Sequence, residues 1–184
     1  ETPIPKKIHY IKVKNTKDAV KVIRDMKTRA FGQFLVVLNA FSLVLMKNQG
    51  RSADVLMKEL EKTAQALNNS RPTFPFSEVT SIVIRWGQAA VAQKIDMIPF
   101  LEKNIQGFLM GIRMKRLERV RQISELLKDG DRVLTHCNVS GELAMAARIC
   151  QDQNKKVHFF ATETRPYFQG SKLTCWELGK MGAS

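Results

Sequence analysis

Apolar residues recur at helical spacing along the first two thirds of the chain, after an extended lead over residues 1–15. Thr16 precedes the first apolar stripe as an N-cap residue, and Ser52 precedes the third in the same way. The predicted helices cover residues 17–26, 32–47, 53–67, 77–93 and 99–128. The helix over residues 32–47 is apolar nearly all round, which indicates that it is buried. The pattern therefore predicts an all-helical N-terminal domain, residues 1–128.

The pattern changes at the turn signal Asp129-Gly130-Asp131. Beyond it we predict a short buried strand, a helix, a second strand and a further helix, over residues 132–136, 140–153, 156–162 and from about 172. Strand and helix in alternation are typical of the first part of a Rossmann-like parallel sheet. Two strands are too few for such a sheet, which needs helices on both faces. The predicted fold class is thus α followed by α/β, with an incomplete Rossmann-like domain over residues 129–184.

The composition narrows the possible functions. With 44% hydrophobic and 26% charged residues the chain can build a core, and its net charge is +13. Charge alone would suit a nucleic-acid partner. The densest basic run, residues 113–121, has no aromatic residue for base stacking and lies in a helical pattern. We therefore expect a solvated face or a subunit contact there and no nucleic acid, with part of the charge attracting a phosphorylated substrate.

Membrane and extracellular settings are not expected. The most apolar run, residues 34–46, is short and interrupted by Asn39 and Ser42, which favours a buried helix over a membrane span. The chain does not open with a charged-then-apolar signal. Its three cysteines form no C-x-x-C pair, which argues against a disulfide framework or a structural zinc and favours a reducing cytoplasm.

Cys137 is the first candidate for chemistry. It lies between a predicted strand and the following helix, where open α/β sheets bind ligands and helix N–H groups stabilise anions. An inert, buried cysteine is the alternative at this position. Cys150 falls on an apolar helix stripe and is expected in the core, whereas Cys175 lies in an amphipathic helix and has no stronger claim. His136 is expected to support the strand end.

Arginines form the other candidate sites. Arg165 and Gln169 follow the second predicted strand in a loop fixed by Pro166 and offer donors suited to an oxyanion. A turn with a solvated arginine is the ordinary alternative. Arg29 and Arg71 each stand at a helix boundary, where they could reach a phosphate or form a helix-end salt bridge.

Several of these segments together resemble a known family. The segments are Thr135-His136-Cys137-Asn138, Glu163-Thr164-Arg165-Pro166, Gln169-Gly170 and Leu173-Thr174-Cys175-Trp176-Glu177-Leu178. Their order is similar to the core of the methylthioribose-1-phosphate isomerases. That superfamily also contains ribose-1,5-bisphosphate isomerases and regulatory subunits of the translation-initiation guanine-nucleotide exchange factor. In the helical part Arg71-Pro72-Thr73 fits the family pattern, but Arg29-Ala30-Phe31-Gly32 departs from its arginine-glycine-alanine-proline.

The resemblance implies an aldose–ketose isomerase with a substrate cleft between its two domains. Its substrate would be 5-methylthioribose 1-phosphate, in methionine salvage, or ribose 1,5-bisphosphate. Cys137 would be catalytic together with an aspartate from further along the family's chain. Arg29, Arg71 and Gln169 would bind the phosphate, and Arg165 would lie in the same cleft. No metal or redox cofactor is implied.

The resemblance also implies that this chain is incomplete. Family members are nearly twice as long, and the region that carries the aspartate is missing here. We therefore expect a second polypeptide or a missing C-terminal half to complete the sheet, and a dimer of the completed unit. The rival hypothesis is a non-catalytic regulatory subunit that senses a sugar phosphate or nucleotide. The presence of Cys137 argues against it, and the missing carboxylate argues for it.

Overall fold

The computed structural model describes residues 10–183, a helical part followed by a β–α–β part. The helices are α1 (Thr16–Arg24), α2 (Ala30–Lys47), α3 (Ala53–Asn68), α4 (Phe76–Ala92), α5 (Met97–Leu126), α6 (Glu142–Asp152) and α7 (Cys175–Lys180), and a π-helix covers Gln169–Thr174. The strands are β1 (Arg132–Thr135) and β2 (His158–Ala161). Most of the predicted extended lead lies outside the described residues. The order of elements confirms the predicted fold class, α followed by α/β.

The chain divides into two compact units within α5. One unit is residues 11–111, and the other is residues 112–183 together with Tyr10. This division falls before the end of α5, whereas the sequence-based domain boundary follows the helix. The two units are called the helical unit and the α/β unit below.

The core of the helical unit is built from one face of each helix. On α2, Leu38, Phe41 and Leu45 are fully buried. Burial of each such side chain contributes about 1.5–3 kcal/mol relative to exposure. By length and composition α2 is the one described helix that could cross a membrane. Its buried face belongs to the core of the unit, which agrees with the prediction of a buried helix.

The cap of α1 differs from the prediction. Asn15, not Thr16, is the N-cap residue, because its side-chain Oδ1 accepts a hydrogen bond from the backbone N–H of Asp18 at 2.9 Å. The Thr16 hydroxyl lies 3.2 Å from the Thr63 hydroxyl instead. Both residues are good N-caps, so only the tertiary contact to α3 separates them.

In the α/β unit, β1 and β2 pair in parallel, with Val133 opposite Phe159 and Leu134 opposite Phe160. Helices α6 and α7 contribute Leu143 and Leu178 to a small core against which Phe159 packs. This places one side of the two-stranded sheet against helices. It also confirms the predicted β–α–β connection.

The other side of the sheet is open in the described chain. Leu134 is 75% exposed and Phe160 is 46% exposed. The prediction of a short buried strand is therefore wrong for β1, because Arg132 and Leu134 are exposed and Val133 and Thr135 are only half-buried. From the sequence, seven apolar residues of this part are expected to need more partners than its two strands and two helices offer: Leu143, Val157, Phe159, Phe160, Leu173, Trp176 and Leu178. Four of them are instead buried within the chain: Leu143, Val157, Leu173 and Leu178.

Candidate functional site

Cys137 lies in the loop between β1 and α6, as the sequence predicts, but in an unusual backbone conformation. Its φ is 62°, and the φ of Ser140 is 58° and that of Gly141 is 81°. For a residue with a side chain the left-handed region costs about 1–2 kcal/mol. Gly141 carries no such cost and is the N-cap residue of α6. The strain at Cys137 therefore has to be offset by contacts.

Two threonine hydroxyls supply these contacts. The backbone N–H of Cys137 donates to Oγ1 of Thr164 at 3.0 Å, and its carbonyl accepts from Oγ1 of Thr174 at 2.6 Å. Thr174 is the last residue of the π-helix and is 2% exposed. Both polar backbone groups of Cys137 are thus bonded to residues from β2's loop and from the C-terminal helices.

Asn138 ties the same loop to α7. Its Nδ2 donates to Thr174 Oγ1 at 3.0 Å and to Glu177 Oε2 at 2.7 Å. Its Oδ1 accepts from the backbone N–H of Ser140 at 2.8 Å. Sequence reasoning assigned no role to Asn138, Thr164, Thr174 or Glu177, although all four belong to the recognised motifs. Their positions in those motifs are the signal that could have found them.

Glu142 anchors the start of α6 to α5. It accepts hydrogen bonds from Arg116 Nε at 3.0 Å and from Arg119 Nη2 at 2.8 Å. The hydrogen bond from Arg119 is the largest cause that lowers the pKa of Glu142; burial opposes it, and Arg116 adds to it. The expectation of a solvated face is therefore wrong for Arg116, whose guanidinium also donates to the carbonyl of Ser140 at 2.6 Å. The hydration that the Glu142 carboxylate loses on burial is offset by its pairing with the two arginines.

The loop after β2 lies directly beside Cys137, because Thr164 belongs to it. Arg165 is exposed, and its Nε donates to Glu163 Oε1 at 3.1 Å. Gln169 begins the π-helix and is part-buried. Its Oε1 is buried and has no hydrogen-bond partner among the described residues. The structure thus brings this loop and Cys137 together within the α/β unit.

In the helical unit, Gln33 links Arg71 to the start of α2, where Arg29 stands. Arg29 is the N-cap residue of α2, and its carbonyl accepts from the backbone N–H of Gln33 at 2.9 Å. Arg71 Nη1 donates to the Gln33 side-chain Oε1 at 2.7 Å. Gln33 is fully buried, and its Nε2 donates to the carbonyl of Thr28 at 2.9 Å. Sequence reasoning missed Gln33, although a polar residue in the apolar α2 pattern was a visible signal.

The other cysteines differ from Cys137. Cys150 is 1% exposed, and burial raises the pKa of its thiol. Its Sγ lies 3.9 Å from the carbonyl oxygen of Ser124. Cys175 is exposed on the first turn of α7. Within residues 10–183 no group of three or more His, Cys, Asp or Glu side chains lies close enough to hold a metal ion.

A sequence profile for the Initiation factor 2 subunit family matches residues 33–183. The chain belongs to this family. The methylthioribose-1-phosphate isomerase of Thermosipho africanus is 33% identical over 196 residues, which cover 97% of this chain and 54% of that protein. The enzyme of the same name from Petrotoga mobilis is 31% identical over 207 residues, covering 98% and 54%. The chain therefore spans about half the length of the curated relatives it matches.

Two solved structures share the fold of this chain. The delta subunit of translation initiation factor eIF-2B from A. fulgidus superimposes with a TM-score of 0.78 at 28% identity, covering 100% of this chain and 56% of that one. The 5-methylthioribose 1-phosphate isomerase from Pyrococcus horikoshii also gives a TM-score of 0.78, at 22% identity, covering 99% and 54%. The family profile and the relatives of 31–33% identity confirm the superfamily that the sequence motifs indicated. The roles of the site residues stay predictions.

Proposed function

We propose that this chain contributes the thiol to the active site of an aldose–ketose isomerase that acts on a ribose 1-phosphate derivative. The observation that carries the proposal is Cys137 itself, held in a left-handed conformation at the carboxyl end of β1, beside the loop of Arg165. The isomerases among the relatives, about 30% identical, support this reaction class. We choose 5-methylthioribose 1-phosphate as the first substrate to test and ribose 1,5-bisphosphate as the second.

The chemistry needs an acid–base pair but no net oxidation. A phosphate on C1 keeps the sugar ring closed, so the ring must open before hydrogen moves from C2 to C1. In this proposal Cys137 is one partner and a carboxylate outside this chain is the other, acting through an enediolate-like species or assisting a hydride shift. Arg29, Arg71 and Gln169 would hold the phosphate, and Arg165 would contact the same substrate.

We further propose that a second polypeptide or a continuation of the chain covers the open face of the sheet and supplies that carboxylate. Support comes from the exposed Leu134 and Phe160 and from the half-length match to the relatives. Dimerisation of the completed unit and a cytoplasmic location belong to the same proposal.

The decisive experiment is to incubate the chain with 5-methylthioribose 1-phosphate, with and without any polypeptide that co-purifies, and to follow the ketose product by NMR. The Cys137→Ser variant serves as the inactive control and Cys175→Ser as the matched cysteine control. Turnover that depends on Cys137 supports the isomerase. Absence of turnover in the complete assembly contradicts it.

A regulatory subunit is the second candidate function. The eIF-2B delta subunit match, at 28% identity and a TM-score of 0.78, favours it. Titration calorimetry with 5-methylthioribose 1-phosphate and ribose 1,5-bisphosphate would distinguish the two. Binding of a sugar phosphate without turnover by the complete assembly would support the regulator.

A further inference from the structure

The hydroxyl groups of Thr164 and Thr174 form hydrogen bonds with both backbone polar groups of Cys137. The N–H donates to Thr164 Oγ1 at 3.0 Å, and the carbonyl accepts from Thr174 Oγ1 at 2.6 Å. The two threonines are 27 and 37 residues away in sequence. Such bonds fix the φ and ψ of one residue from outside its own loop.

The hydrogen atoms balance in this arrangement. Thr174 donates its single hydroxyl hydrogen to the Cys137 carbonyl and accepts one from Asn138 Nδ2. Thr164 accepts from Cys137 and donates to Thr162, whose carbonyl lies 3.3 Å away. Neither hydroxyl has to donate two hydrogen bonds, so both bonds to Cys137 can exist at the same time.

The surrounding backbone is shaped to bring these hydroxyls close. Thr164 itself has a φ of 60°. Gly170 lies against the Thr162–Thr164 turn so closely that a Cβ there would overlap the carbonyl oxygen of Thr162 and lie 3.1 Å from Thr164 Oγ1. Thr174 ends the π-helix that begins one residue before Gly170. π-helical turns are rare in proteins and are frequent at functional sites.

We propose that Thr164 and Thr174 are positioning residues for the Cys137 thiol. Because the backbone dihedrals of a residue set the direction of its Cα–Cβ bond, these two hydroxyls fix the direction from which the sulfur projects and leave only its χ1 rotation free. Neither threonine has to touch the substrate for this. The inference rests on the proposed function for its kinetic consequence, but not for its effect on the thiol.

The test compares Thr174→Val with Thr174→Ser, and Thr164→Val with Thr164→Ser, in the protein with any co-purifying partner. Valine keeps the shape and removes the hydroxyl, whereas serine keeps the hydroxyl. We expect each valine variant to lower kcat for 5-methylthioribose 1-phosphate about tenfold to a hundredfold with KM changed less than about twofold. Each serine variant should recover kcat to within about threefold of the wild type. Thr80→Val, which removes a buried hydroxyl bonded to Asn68 in the helical unit, should leave kcat unchanged.

A second measurement does not depend on turnover. Alkylation of each cysteine by iodoacetamide is followed by peptide mass spectrometry, with Cys175 as the internal reference. In the valine variants we expect the Cys137 rate to rise about threefold or more relative to Cys175, because the thiol is released from its fixed position. The serine variants should stay near the wild-type ratio.

The outcomes separate the two proposals. If the wild-type protein shows no turnover but the valine and serine variants show the expected alkylation rates, the isomerase proposal is contradicted and the positioning role is supported. Folded valine variants with unchanged kcat and an unchanged alkylation ratio overturn the positioning role, as do serine variants as impaired as the valine ones. If Thr174→Val does not fold, the Thr164 pair decides alone.

Discussion

At Cys137 the chemical role can be separated from the structural one, because the contacts that hold this residue use its backbone and not its sulfur. Cys137→Ser therefore keeps both hydrogen bonds and changes little volume. We expect turnover to fall by at least about a hundredfold while the melting temperature stays near that of the wild type. Steady-state assays and thermal melts measure the two effects. Near-normal activity in this variant would remove the thiol from the mechanism.

Cys150 should show the opposite behaviour. Its side chain is buried on α6, and Ser124's carbonyl, the acceptor nearest to its sulfur, already accepts a hydrogen bond from Lys155 Nζ at 2.9 Å. Cys150→Ser places a poorly paired hydroxyl in the core and should lower the free energy of unfolding by about 1–3 kcal/mol. Urea denaturation measures this. Cys175→Ser, at an exposed position, is the matched control and should change stability very little.

Phosphate affinity should depend on Arg71 and not on the basic run of α5. Arg71→Ala removes a charge-assisted contact of about 1.5–3 kcal/mol, or one to two decades in affinity. Calorimetric titration with 5-methylthioribose 1-phosphate measures the loss. The matched control is the double variant Arg113→Ala and Arg121→Ala, both exposed on α5. Arg116 and Arg119 are unsuitable controls because they hold Glu142. A larger loss in the control variant would shift the binding site to α5.

For single residues, the sequence predicts the place in the fold better than the backbone conformation and the hydrogen bonds. Cys137 was correctly predicted in the loop between a strand and a helix, because local periodicity is enough to locate such a junction. Its left-handed backbone and its bonds to Thr164 and Thr174 were out of reach, since they depend on contacts made far along the chain. Gln33 was visible as a polar residue in the apolar pattern of α2, but its bond to Arg71, 38 residues away, was out of reach for the same reason.

Between elements, the Glu142 carboxylate links α6 to α5 and gives the α/β unit a pH dependence. Its pKa is lowered mainly by the hydrogen bond from Arg119. A carboxyl group whose pKa is lowered on folding stabilises the protein at pH values above its ordinary pKa, and this contribution is lost as the pH falls through the lowered pKa. We therefore expect Glu142→Gln to be less stable than the wild type by about 1–2 kcal/mol at pH 7.

The stability gap between wild type and Glu142→Gln should begin to narrow as the pH falls below about 4.3, the ordinary pKa of a glutamate. It should close once the pH has fallen through the lowered pKa of Glu142, where the wild-type carboxyl also becomes neutral. Thermal melts of both proteins from pH 7 to pH 3 measure it. Glu118→Gln, an exposed position on the same α5 helix, is the control and should show no such gap. A gap that persists unchanged at pH 3 would mean that the charge of Glu142 is not its cause.

Elements were predicted best where apolar spacing was long and regular. α2 to α5 were located to within a few residues at each end, because one face of each helix packs into the core. The segment after β2 was predicted as a loop leading to a helix from about residue 172. The structure instead forms the π-helix from Gln169 and starts α7 at Cys175. The spacing of apolar residues does not distinguish a short π-helix from a loop. In the structure Gly170 of this π-helix packs closely against the loop that follows β2.

For the whole molecule, the open face of the sheet and the half-length match lead to one expectation. Helices α6 and α7 cover one side of β1 and β2, while Leu134 and Phe160 on the other side stay in contact with solvent. Parallel sheets are almost always covered on both faces. The sequence pattern predicted that apolar residues of this unit need further partners, but it included Leu143 and Leu178, which are buried together in one core. Their burial depends on how α6 packs against α7, which the sequence pattern does not show.

The last prediction concerns the chain on its own. Purified alone, it should lack isomerase activity and should self-associate or bind a hydrophobic dye, because Leu134 and Phe160 lie together on an uncovered sheet face. Sedimentation velocity and dye fluorescence measure this. The double variant Leu134→Lys and Phe160→Lys should suppress the association without unfolding the helical unit, and Val55→Lys, at a 42% exposed apolar position on α3, is the matched control. Addition of the completing polypeptide to the wild-type chain should abolish dye binding and restore turnover, but it should do neither for the double variant. A monomeric, dye-free and fully active chain of 184 residues would show that nothing is needed to cover this face and that the carboxylate of the mechanism lies within the chain itself.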